Sequence, residues 1–71
     1  MIANNLKALR RSKGWTQKKT AYNLDIKLSK YQAYEEERAN PNIELLISIS
    51  DLYNISLDKL LKYEIKIEIR P

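Results

Sequence analysis

The most constraining feature of this chain is the run Trp15-Thr16-Gln17 … Ala21-Tyr22-Asn23-Leu24-Asp25-Ile26 … Tyr31-Gln32-Ala33-Tyr34-Glu35 … Asn40-Pro41. Its spacing predicts two short helices joined by a turn of three to four residues, the second of them polar over much of its surface. In a chain of 71 residues this unit fills most of the globular mass. Whatever it does dominates what the chain does.

Composition removes several function classes. There is no Cys and no His, which excludes disulfides, Cys/His zinc sites and His- or Cys-based catalysis. No carboxylates cluster in a way that points to an acidic metal site, and no convergent pair points to an enzyme; no cofactor is expected. The longest apolar runs are too short for a membrane helix. Residues 1–13 alternate apolar and polar at helical spacing, without the continuous apolar stretch of a signal peptide. The expectation is one cytoplasmic domain, near the lower size limit for an unstapled core.

Charge is unevenly spread. Residues 1–38 hold nine Lys/Arg against four Asp/Glu, and residues 39–71 hold four against five. The basic half contains the two-helix unit, as a surface facing a polyanion requires.

The local signals predict five helices. Residues 2–12 form the first, with Ile2, Leu6 and Leu9 inward, closed by Gly14. Thr16 caps a second helix running to about Leu24, and Asp25 takes a left-handed turn conformation. The third spans about Lys27 to Glu36. Asn42 starts a fourth, with Ile43, Leu46, Ile49 and Tyr53 inward and Asn54 as its left-handed end; Ser56 caps a fifth through Leu61. Residues 1–62 make the helical domain. Residues 63–71 differ: apolar and charged residues alternate with period two, predicting a strand. A lone strand cannot satisfy its backbone, so it is expected to pair antiparallel with a second copy, burying Ile65, Ile67 and Ile69 in a homodimer interface. Pairing about Ile67 sets Lys66 against Glu68 and Glu64 against Arg70, whereas pairing about Lys66 opposes like charges. The twofold therefore belongs on Ile67 first and Ile65 second.

Two helices across a tight turn form a helix-turn-helix, whose second helix is held out for a DNA major groove. On the third helix the periodicity turns Ile26, Tyr31, Tyr34 and Glu35 inward and Lys27, Leu28, Ser29, Lys30, Gln32 and Ala33 outward. Gln32 can bond adenine with both ends of its amide, Ser29 can donate or accept, and Leu28 or Ala33 can lie on a thymine methyl. Lys18 and Lys19 before this face, and Arg38 and Asn40 after it, are placed for phosphates. The expected partners are double-stranded DNA and a second copy, with no small-molecule ligand evident.

These residues carry a family resemblance. Leu6-Lys7-Ala8-Leu9-Arg10, Gly14-Trp15-Thr16-Gln17, Ala21, Leu24, Ile26, Tyr31, Tyr34-Glu35, Asn40-Pro41 and Ser56-Leu57-Asp58-Lys59-Leu60-Leu61 resemble the Cro/repressor (Xre-type, lambda-repressor-like) family over residues 2–61. The resemblance implies an all-α, five-helix repressor-like domain and a sequence-specific transcriptional regulator, a repressor on an inverted repeat. It also implies that Gln17 grips a phosphate and that Arg10 pairs with Glu35 as an internal brace. Three positions depart from the family pattern: Thr20 replaces a bulky apolar residue, Lys27 replaces a capping Ser or Thr, and Glu37 stands where Gly or Asn supplies a turn. A protein-interaction module, of the antitoxin-like or adaptor kind, is the alternative, kept open by Glu35-Glu36-Glu37 and by Leu28.

Overall fold

The computed structural model describes residues 2–62, 64 and 65. Five helices follow one another: α1 Ile2–Ser12, α2 Gln17–Asn23, α3 Leu28–Glu35, α4 Ile43–Tyr53 and α5 Leu57–Lys62. The starts of α2, α4 and α5 are fixed by short polar side chains that accept otherwise orphaned backbone N–H groups. Thr16 Oγ1 accepts from Lys19 N at 3.0 Å, Asn42 Oδ1 from Leu45 N at 2.9 Å, and Ser56 Oγ from Lys59 N at 3.0 Å. At α3, Lys27 makes no side-chain cap bond.

Four helix ends share one device. Gly14, Asp25, Glu37 and Asn54 each adopt a left-handed conformation, with φ of 69°, 57°, 61° and 53°. In each case the next residue donates its N–H five residues back: Trp15 to Arg10, Ile26 to Ala21, Arg38 to Ala33 and Ile55 to Ser50. This is the bond that satisfies terminal carbonyls when the chain reverses its twist. Glycine pays nothing for it, and Asp and Asn pay little. Glu37 has no such allowance. Glu37→Gly is therefore expected to raise the urea midpoint, with a gain of about 0.5–1 kcal/mol once the extra freedom of glycine in the unfolded chain is subtracted. A lowered midpoint would show that Glu37 compensates its backbone strain elsewhere.

The core joins every helix: Leu6 and Leu9 of α1, Ala21 of α2 with Leu24 beyond it, Tyr31 and Tyr34 of α3, Ile49 and Tyr53 of α4, and Leu60 of α5. Trp15 leans on this core with its ring 5.7 Å from that of Tyr53. Thr20 is fully buried and donates its hydroxyl to Thr16 O at 3.0 Å, so a hydroxyl and its partner carbonyl occupy the place of the expected larger apolar side chain. α3 packs on α1 and α2, and α5 packs on α1 and α4.

Two expectations are corrected. Ile43 does not face inward but is 59% exposed. It lies six residues before the buried Ile49, about 120° around the helix at 100° per residue, and Leu45 and Leu46 take the inner positions. The second correction concerns the chain after α5. No strand occurs among the described residues, and Ile65 is irregular, half-buried and packed against its own helices. Its N–H donates to Asn5 Oδ1 at 2.8 Å rather than into a ladder. Ile67, Ile69 and the proposed twofold lie outside the described residues.

Asn5 was absent from the inward face read from the sequence, yet it is fully buried. Its amide donates to Leu60 O at 2.9 Å while its oxygen accepts from Ile65, so one side chain ties α1 to the end of α5 and the segment after it.

Candidate nucleic-acid interface

The site is built around a buried carboxylate. Glu35, at the end of α3, is 1% exposed. Its Oε2 accepts from Arg10 Nε at 2.7 Å, and its Oε1 accepts from Arg10 Nη2 at 3.2 Å and from Gln17 Nε2 at 3.1 Å. Arg10 also donates through Nη1 to Trp15 O at 3.1 Å. One ion pair therefore connects α1, the turn after it, the start of α2 and the end of α3. The forked geometry satisfies both carboxylate oxygens, which is the condition under which a buried pair offsets its desolvation.

Burial alone would raise the Glu35 carboxyl, but the Arg10 guanidinium, the nearby Tyr31 hydroxyl and Gln17 outweigh it and hold the group below the ordinary carboxylate range. Burial, and then the neighbouring Glu35 charge, push Tyr31 up. Its hydroxyl makes no properly formed hydrogen bond despite that proximity, and neither does the buried hydroxyl of Tyr53, which burial also raises.

Gln17 was expected to grip a phosphate and Gln32 to project freely. The structure brings the two together: Gln32 Nε2 donates to Gln17 Oε1 at 3.3 Å, and Gln32 is half-buried. Ala33 is half-buried too. Lys27, Leu28, Ser29 and Lys30 are exposed at the start of α3, as are Lys18 and Lys19 on α2 and Asn40 in the loop after α3. Lys19 Nζ lies 5.9 Å over the ring of Tyr22, which is 79% exposed and has no core role. Arg38 is exposed but is not a free cation, since its Nη2 lies 2.6 Å from Glu36 Oε2. The sequence reading missed the Gln17 links to Glu35 and Gln32. Its available signal was the position of Gln17 at the first residue of α2, against which α3 packs.

A family profile described as "Helix-turn-helix domain" matches residues 3–64. The chain is 42% identical over 64 residues to the "Uncharacterized HTH-type transcriptional regulator YqaE" of Bacillus subtilis (strain 168), covering 90% of this chain and 55% of that protein. This chain belongs to the Xre-type helix-turn-helix family. A second Bacillus subtilis relative, the HTH-type transcriptional regulator ImmR, is 37% identical over 60 residues, covering 84% of this chain and 47% of its own length. The Xre-type chain thus spans about half the length of the curated relatives it matches. Its fold superposes on the crystal structure of a transcriptional regulator from Listeria innocua with a TM-score of 0.82 and 25% identity, covering 96% of this chain and 64% of that one.

Proposed function

We propose that this chain is a DNA-binding transcriptional regulator that lays α3 in the major groove. The observation that carries the reading is the N-terminal half of α3. Lys27, Leu28, Ser29 and Lys30 all stand exposed on a helix whose other end is locked to α1 and α2 through Glu35. A braced helix with an unobstructed polar and basic face is what base reading requires. Lys18, Lys19 and Asn40 flank that face as phosphate ligands, and Arg38 joins them once a phosphate displaces Glu36. Gln17 contributes through the hydrogen atom that its bond to Glu35 leaves unused. The relatives named as transcriptional regulators support the same assignment.

The finer reading is a repressor acting as a homodimer on an inverted repeat. Two copies of α3 would stand roughly 34 Å apart, one turn of DNA. The pairing element of this reading would be the alternating apolar segment that includes Ile67 and Ile69.

Fluorescence anisotropy with random and genomic duplexes at several salt concentrations tests the reading. Salt-dependent binding with selection of an inverted repeat is expected. Gln32→Ala is expected to relax base preference at one position per half-site, lowering affinity for the preferred base about tenfold while barely changing the others. Equal loss on every sequence would remove Gln32 from base reading. Absence of any salt-dependent binding would favour the protein-interaction module instead.

A further inference from the structure

A glutamine amide has no fixed polarity of its own, since its oxygen and NH2 are nearly the same shape and exchange by a half-turn. In this chain Gln32 does have one. An ionised carboxylate only accepts hydrogen bonds, so Gln17, 3.1 Å from Glu35 Oε1, must approach it with its NH2. That turns Gln17 Oε1 toward Gln32, and an oxygen likewise only accepts. Gln32 therefore turns its NH2 inward, at 3.3 Å, and its carbonyl oxygen away. That oxygen makes no hydrogen bond among the described residues and is not buried. Of the residues on the exposed side of α3, Gln32 alone has its side chain held by another side chain.

We propose that Glu35, acting through Gln17, sets the polarity of the Gln32 amide and so restricts the base Gln32 meets to one with a major-groove amino group, adenine before cytosine. At the place where adenine and cytosine present an amino donor, guanine and thymine present the oxygens O6 and O4. An outward carbonyl oxygen bonds the first pair and repels the second. The second hydrogen of Gln32 Nε2 can reach adenine N7, which cytosine lacks, and this places adenine first. Gln32 is the residue that touches the base; Gln17 and Glu35 are positioning residues. The inference rests on the DNA-binding reading above.

The test changes residue 17 and reads residue 32. The position at which Gln32→Ala loses its preference is found first, and affinities for all four bases are then measured there. The wild-type chain is expected to favour adenine over guanine about tenfold. Gln17→Met keeps the length of the side chain but offers no oxygen, and the ratio is expected to fall to about twofold or less, since Gln32 can then turn either way. Gln17→Lys offers only donors: it still satisfies Glu35, but it draws the Gln32 oxygen inward and turns the NH2 out. The preference is expected to reverse toward guanine or thymine. An added positive charge strengthens binding to every sequence alike, so a reversal at one position cannot arise from it. Wild-type adenine preference in either variant would overturn the relay, as would a wild-type preference for guanine or thymine at that position. Failure of the wild-type chain to bind any duplex would be a different failure, removing the DNA reading and the relay with it.

Discussion

Glu35→Ala is expected to be the most damaging single substitution in this chain, lowering stability by about 3 kcal/mol in a urea titration. A domain of this size has roughly 4–10 kcal/mol in total. The carboxylate is 1% exposed and the Arg10 side chain 15%, so its loss leaves a guanidinium largely out of water without its acceptor. It also strips the Gln17 NH2 of its partner. The penalty comes from the orphaned partners rather than from the worth of the pair itself. The paired change Arg10→Met with Glu35→Leu should then recover most of the loss and lie within about 1 kcal/mol of the parent. A single substitution costing under about 1 kcal/mol would mean that Arg10 swings out to solvent and the brace is dispensable.

The same carboxylate ties stability to acid. The native Glu35 group titrates below its unfolded value, so the unfolded chain takes up its proton first as pH falls. Its contribution is complete above the ordinary glutamate pKa of about 4.3 and disappears as pH drops through the lower native value. Tyr31 and Tyr53 act at the other end. Both are raised by burial, so their contribution is complete below about pH 10 and is lost as pH climbs beyond it. Urea midpoints across pH should show both limbs, and Glu35→Ala should flatten the acid one. An unchanged acid limb in that variant would assign it to other carboxylates.

What was legible in the sequence was the chemistry that acts over a few residues. Thr16, Asn42 and Ser56 announce helix starts because a short oxygen reaches a backbone N–H three residues on, and Gly14, Asp25 and Asn54 announce reversals because they tolerate positive φ. Ile43 misled because it meets the i, i+3 spacing to Leu46 while lying off the stripe that Ile49 and Tyr53 define. Asn5 is a polar residue on an apolar face, and its backbone partners lie 55 and 60 residues away; no local pattern carries that. The Gln17–Gln32 contact requires the crossing of α2 and α3, so side chains read separately as a phosphate ligand and a base reader are bonded to each other. Arg10 and Glu35, 25 residues apart, came into view only through the family resemblance. The alternation after α5 suggested a strand, yet Ile65 turns its N–H to Asn5 instead, a contact 60 residues away that no local pattern carries.

The triple substitution Lys18→Ala, Lys27→Ala, Lys30→Ala is expected to have the largest effect on binding. All three residues are exposed, and none is in an ion pair or side-chain hydrogen bond among the described residues, so each charge is available to a phosphate. Lys27 makes no cap bond, so its truncation leaves the start of α3 intact. Arg38 stays out of the set because Glu36 already neutralises it. Releasing three fewer counterions should flatten the slope of log affinity against log salt by about 2.7. Between about 50 and 200 mM salt, that narrows the change in affinity by about fortyfold. A control with the same loss of charge separates location from amount: Arg11→Ala, Lys13→Ala, Lys59→Ala removes three exposed cations of α1, the turn after it and α5. Its slope should shift by less than about one unit. If the control flattened the slope as much, binding would follow net charge, and the α2–α3 face would have no special claim on the DNA backbone.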